Sequence, residues 1–241
     1  MRILFICAHP DDLELCVGEF IYRLNKLHQV DIVSVSRGEW GCLDKKLKGR
    51  WLGKIREREL KEASKVHGIN PENVKFLDYI DGQIYLDKTL INDLYKLIKE
   101  NNYKAVFAPE YLYTYYFHPD HINLGKAILI VIKRMDIKLR PKLFFYHTIY
   151  PNKFLKINFK RTQKAIMKHR TQILIIGYFI ALRPVIDLFY GIISKKLLFS
   201  EGVRKVYLNK EKKLELPLFL KLIYYGLSIG KIFQKAWKKN D

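Results

Sequence analysis

The chain has 241 residues, 49% hydrophobic and 28% charged, a length and balance that fit one folded domain with an appended segment and exclude a disordered or polytopic membrane protein. Its three cysteines, Cys7, Cys16 and Cys42, show no paired spacing, and no secretory signal precedes the first apolar run, so a reducing, cytoplasmic setting is expected. The formal net charge of +20 is unevenly placed: residues 1–150 hold 24 basic and 19 acidic side chains, residues 151–241 hold 20 and 5. A field of that sign attracts polyanions: nucleic acid, an anionic membrane face, or a phosphorylated or lipid-linked substrate.

In chain order, short β-branched or aromatic runs alternate with longer amphipathic stretches. Strands are expected at Arg2–Ala8, Asp31–Ser36, Val74–Leu77, Lys104–Ala108 and Lys142–His147, and helices at Leu13–Leu27, Lys54–His67, Lys88–Glu100 and Pro119–Arg134. The alternation predicts an α/β fold: a Rossmann-like, doubly wound, mainly parallel sheet with helices on both faces. In the last ninety residues Thr171–Leu182 is a charge-free run of twelve, interrupted by Arg183, Pro184 and Asp187 before the roughly 18–20 residues a bilayer span needs. Residues 206–241, mixing aromatics with lysines, read as a basic amphipathic helix or tail that either packs on the domain or lies on an anionic membrane surface.

Two four-residue windows carry the chemistry. His9-Pro10-Asp11-Asp12 leaves the first strand, and His118-Pro119-Asp120-His121 follows the fourth. Each has a plain alternative as a helix cap, with an Asp or His before the first turn and Pro inside it. Together, at the carboxyl edge where such sheets bind ligands, they supply what a water-activating metal needs: His9, Asp12 and His121 as a mixed imidazole and carboxylate set for zinc, with Fe2+ or another divalent ion as the alternative. Asp11, adjacent to a ligand, is placed as general base. His118 is left to act as general acid or as a cation stabilising an oxyanion, with Asp120 holding its tautomer or raising its pKa.

These residues resemble the PIG-L or LmbE-like N-acetylglucosaminyl deacetylases. The signature A-H-P-D-D-x-E reads Ala8 to Glu14 without departure, and H-P-D-H reads His118 to His121. The resemblance implies the same ligands, base and acid, and hydrolysis of an acetamide on an N-acetylated amino sugar. Looser likenesses are Ser36-Arg37-Gly38-Glu39, Arg56-Glu57-Arg58-Glu59-Leu60, Tyr79-Ile80-Asp81-Gly82, Lys164 to Gln172 with His169, and Phe199-Ser200-Glu201. From these, Glu39, Arg56 and Asp81 are candidate substrate contacts, joined by Tyr116, whose hydroxyl sits two residues before His118. The resemblance covers about residues 1–205, taken as the deacetylase domain.

The charge and aromatics of the C-terminal part point to a glycolipid or lipid-phosphate-linked sugar and to peripheral association with the inner membrane face, with a soluble glycoside such as a thiol precursor as the alternative. A basic nucleic-acid-binding module accounts for the charge alone, but lysines dominate and no nucleic-acid motif appears.

Overall fold

The computed structural model describes residues 1–195 and 198–208; the basic segment expected at 206–241 lies almost entirely outside the described residues. Seven strands form one mixed sheet. They are β1 (Arg2–Cys7), β2 (Gln29–Ser36), β3 (Val74–Tyr79), β4 (Ala105–Pro109), β5 (Lys142–Tyr146), β6 (Lys153–Lys156) and β7 (Ser200–Lys205), in the order β3-β2-β1-β4-β5-β7-β6. The first five pair in parallel, as their continuous apolar character requires. β1 and β4 are buried along nearly their whole length. Helices α1 (Gly18–Asn25), α2 (Arg50–Val66), α3 (Lys88–Glu100), α4 (Pro119–Arg134), α5 (Phe159–Ile166) and α6 (Ile173–Ser194) complete the domain.

Two apolar clusters sandwich the sheet. One joins Leu4, Ile6 and Val106 to α3 and α4; the other joins Ile3, Phe5 and Phe107 to Val17, Ile21 and Leu60. Alternate residues of β1 thus feed opposite cores, the period of two expected of a strand covered on both faces. The doubly wound architecture is as the sequence predicts, and α3 and α4 have the predicted bounds.

Two differences stand out. The first helix starts at Gly18 rather than Leu13, because Pro10 to Val17 is spent on turns in which Asp12 and Glu14 face inward instead of continuing a helix. The far edge of the sheet is antiparallel, with β7 between β5 and β6; β6 and β7 are short and polar, and neither was marked as a strand by its pattern.

β1 and β4 are neighbours, and the chain winds outward from them in both directions. The crevice between their carboxyl ends is therefore the switch point at which open α/β sheets bind ligands, and both motifs leave from it. Gly125 makes this possible on the α4 side, since a side chain there would strike the carbonyl of Pro109 at the end of β4.

The loop from β4 to α4 is anchored by charge. Glu110 is fully buried and accepts from Arg204 Nε at 2.5 Å and Arg204 Nη2 at 2.7 Å, and from the amides of Tyr111 and Leu112 at 3.1 Å each. Removing one partner of such a pair strands the other charge in low dielectric. Arg204→Ala should therefore cost about 3–5 kcal/mol, read as a lowered urea midpoint, and adding Glu110→Gln should recover part of the loss.

Candidate metal and catalytic site

The first motif is folded by one of its own carboxylates. Asp12 Oδ2 accepts from the amides of Ala8 and His9 at 3.0 and 2.9 Å, turning the chain back on itself after β1. Its other oxygen, Oδ1, is then presented 3.2 Å from His121 Nε2 and 3.9 Å from His9 Nδ1, while those two nitrogens lie 3.1 Å apart. All three side chains are buried. Burial pushes the Asp12 carboxyl upward, but His121 and His9 outweigh it and hold it well below the usual range.

This triangle has the chemistry and size of a metal site. Zinc bonded to nitrogen and oxygen at about 2.0–2.1 Å in tetrahedral geometry sets its donors about 3.3 Å apart, and two edges here fall close to that with the third slightly open. Two imidazoles and one carboxylate make a three-ligand set that leaves a coordination position for water or substrate. The residues fit a divalent metal.

The opposite nitrogen of His9 is clamped. Nε2 lies 3.0 Å from Asp81 Oδ1 and 3.2 Å from Asp120 Oδ2. These carboxylates are themselves satisfied by backbone: Asp120 accepts from Gly82 at 2.8 Å and Ile84 at 3.3 Å, and Asp81 accepts from Trp40 at 3.1 Å. His9, Asp81 and Asp120 also converge closely enough to form a metal-sized group. Their amide bonds and their position on the Nε2 side suit the two carboxylates to fix the tautomer of His9, which would leave Nδ1 free to face a metal. Burial alone would lower the His9 pKa, yet Asp12, Asp120 and Asp81 together raise it well above its ordinary value. In return, against the upward push of burial, His9 helps hold Asp81 at about 2.

Asp120 acts on two histidines. Its carboxylate bonds to His9, and its charge works to raise the His118 pKa. Its main-chain amide is what meets His118, donating to Nδ1 at 3.3 Å as α4 begins, so His118 is the N-cap and Nε2 carries its proton. Burial, then the neighbouring His9 and His121, bring His118 down to about 4. A neutral ring with its proton on Nε2 presents an N–H donor there.

Asp11 is buried, and its Oδ1 meets Arg56 Nη2 at 3.1 Å. Arg56, expected as a substrate contact, is itself buried and also donates from Nη1 to the carbonyl of Gly38 at 2.7 Å. Gly38 has a φ of 64°, and a side chain there would collide with that guanidinium, so glycine is required by both backbone and space. Glu39 is half-buried and accepts from Asp81 N at 3.0 Å. Arg56, Asp81 and Glu39 thus brace the site from within the protein. Tyr116 stands edge-on to His121, with ring centroids 4.6 Å apart.

Three buried groups received no role from the sequence. His147, just past β5, stacks on His121 at 5.3 Å, holds a left-handed φ of 58° that a non-glycine residue rarely adopts, and is pushed by burial down to about 3. Its place at the carboxyl end of the strand next to β4 was the available signal. Glu14 Oε2 lies 3.1 Å from His169 Nε2. Glu201 accepts from the amides of Glu19 and Phe20 at the α1 N-terminus and from Arg183, which also grips Asp187 and donates to the Glu14 carbonyl. These contacts tie the loose motifs around 169 and 201 to the first motif.

Comparison with known proteins places the chain in a family. The model for PIG-L, described as GlcNAc-PI de-N-acetylase, matches residues 4–132. The chain belongs to the PIG-L family. It is accordingly an N-deacetylase acting on N-acetylglucosamine-like substrates. Among solved structures it is similar to N,N'-diacetylchitobiose deacetylase from Pyrococcus horikoshii, with 24% identity, 89% of this chain and 87% of that chain covered, and a TM-score of 0.80. It is also similar to GalB, the 4-carboxy-2-hydroxymuconate hydratase from Pseudomonas putida (19%, 88% and 99%, 0.68), and to the A40926 pseudoaglycone deacetylase Dbv21 (16%, 88% and 99%, 0.66). At these identities the likeness is one of fold.

The clamp on His9 generates a prediction. Asp120→Asn should weaken binding of Zn2+ or Co2+ by about 10–100-fold, measured by competition with a chelator. Affinity equal to that of the unaltered protein would show that the carboxylate does not orient the ligand.

Proposed function

We propose that this chain is a zinc-dependent hydrolase that removes the acetyl group from an N-acetylglucosamine unit of a glycolipid or lipid-phosphate-linked sugar. The observation that carries the metal reading is the triangle of His9 Nδ1, Asp12 Oδ1 and His121 Nε2, a donor set suited to zinc and open to Fe2+. When bound there, the metal supplies Lewis acidity to a water and to the amide carbonyl.

The remaining steps belong to the protein. Asp11 takes the proton of the attacking water through Oδ2, while Arg56 fixes its Oδ1 and so its aim. His118, neutral with its proton on Nε2, donates a hydrogen bond to the carbonyl oxygen as negative charge develops there. The proton held by Asp11 then passes to the departing amine, releasing acetate and a free amino sugar. The tetrahedral charge forms among side chains that need no reorganisation, because Asp12, His9 and His118 are each fixed by backbone amides or carboxylates before substrate arrives. Glu39 has a buried Oε2 with no hydrogen-bond partner, suited to a sugar hydroxyl, and Tyr116 stands against His121 and His147. The lipid-linked reading of the substrate is supported by the net charge of +20 and its concentration beyond residue 150, a field that favours peripheral attachment to an anionic membrane face.

Asp11→Asn should lower kcat by about 10²–10⁴-fold in an amine-release assay on N-acetylglucosamine conjugates while metal content stays unchanged. Unchanged turnover would exclude Asp11 as the base.

A further inference from the structure

Helix α6 is built inside out. Its only charged residues, Arg183 and Asp187, are both buried and bonded to each other at 2.8 Å. Its outward face carries Leu174, Ala181, Val185 and Ile192. These recur at seven, four and seven residues and so share one stripe of the helix. Leu174 is 85% exposed, and Val185 and Ile192 are each more than 60% exposed. From Leu174 to Ile192 the stripe runs about 27 Å at 1.5 Å per residue. A helix on the surface of a domain ordinarily turns its polar side outward, and an apolar stripe of this length marks a contact surface.

The start of α6 is tied to a second element with exposed apolar side chains. Gln172, which caps α6, donates to the carbonyl of Gly41 at 2.7 Å, placing the helix start against the loop from Trp40 to Trp51. That loop exposes Trp40, Leu43, Leu47 and Trp51 between Lys45, Lys46, Lys48 and Arg50, with Asp44 its one exposed acid. More exposed cations precede and follow α6: Lys160, Lys164 and Arg170 before it, Lys195 after it. Aliphatic side chains, interfacial tryptophans and surrounding lysines are the composition of a surface that lies in the headgroup region of an anionic bilayer. Among the described residues no helix is long and apolar enough to cross a membrane, so the contact is a lying one.

We infer that the outward face of α6 and the Trp40–Trp51 loop form a docking surface for an anionic lipid bilayer, placing the mouth of the metal site on the membrane. Trp40 connects the two functions: its side chain is exposed, and its amide donates to Asp81, one of the two carboxylates that clamp His9. The docking surface stands on its own geometry; only its use in delivering a substrate to the site rests on the deacetylase reading.

The test is co-sedimentation of the full chain with phosphatidylcholine vesicles with and without about a third phosphatidylglycerol, beside the variant Leu174→Asp/Val185→Asp/Ile192→Asp. The expected result is binding to anionic vesicles that weakens with salt and falls at least about tenfold in the variant. Circular dichroism and turnover of a water-soluble N-acetylglucosamine conjugate should stay unchanged. In a Trp237→Phe background, which keeps Trp40 and Trp51, tryptophan emission should shift to the blue on those vesicles. Binding by the variant equal to that of the unaltered chain, no binding by either, or a dimer that the variant converts to a monomer would overturn the proposal. Loss of vesicle binding in a folded chain that shows no deacetylase activity would support the docking surface and refute the deacetylase reading instead.

Discussion

The structure depends on what happens at the two nitrogens of one imidazole. His9 faces Asp12 and His121 with Nδ1 and meets Asp81 and Asp120 with Nε2. Three chain segments meet at that ring: the turn after β1, the turn after β3 at Asp81, and the start of α4; the loop following β2 supports it through Trp40 and Glu39 on Asp81, and α2 supports the first motif through Arg56 on Asp11. Each carboxylate that touches His9 is held in turn by backbone amides, so the ring's orientation is set by main chain rather than by mobile side chains. A ligand aimed this way binds its metal with little left to order, and ordering cost is what separates a working site from a mere collection of donors.

Around this centre the protein buries an unusual density of charge. Glu14 with His169, Arg183 with Asp187 and Glu201, and Arg204 with Glu110 are all sequestered. Buried ion pairs add little net stability over apolar packing, since desolvation offsets most of the attraction. Their value here is positional. Glu201 sits at the α1 N-terminus, accepting the amides of Glu19 and Phe20 where the helix dipole favours an anion, and through Arg183 it fixes the carbonyl of Glu14 in the first motif. The antiparallel edge of the sheet thereby acts on the loop that carries Asp11 and Asp12.

The parallel half of the sheet was legible because its strands are apolar throughout and its helices keep a clean 3.6-residue period; α3 and α4 agree with expectation to the residue. β6 and β7 were not: β6 is four residues long with an exposed lysine at each end, and β7 carries Glu201 and Arg204, which burial in ion pairs, not hydrophobicity, accounts for. In the site, the two motifs announced their residues by type and spacing, yet spacing does not tell which oxygen faces which nitrogen. Hence the bonds of the Asp120 carboxylate to His9 and of Arg56 to Asp11 and the Gly38 carbonyl were not legible in the sequence. His147 was missed because a lone histidine at a strand end carries no pattern. Fold does not choose the reaction either, as a hydratase shares it; the choice comes from the donor set and the base beside it.

The central claim is that a metal sits among His9 Nδ1, Asp12 Oδ1 and His121 Nε2. Anomalous diffraction from crystals of the active protein at the zinc edge measures this directly. The account predicts one peak bounded by those three atoms, with Asp81 and Asp120 still hydrogen-bonded to His9 Nε2. A peak among Asp81, Asp120 and Nε2, or full deacetylase activity in crystals with no peak at any divalent-metal edge, would contradict it.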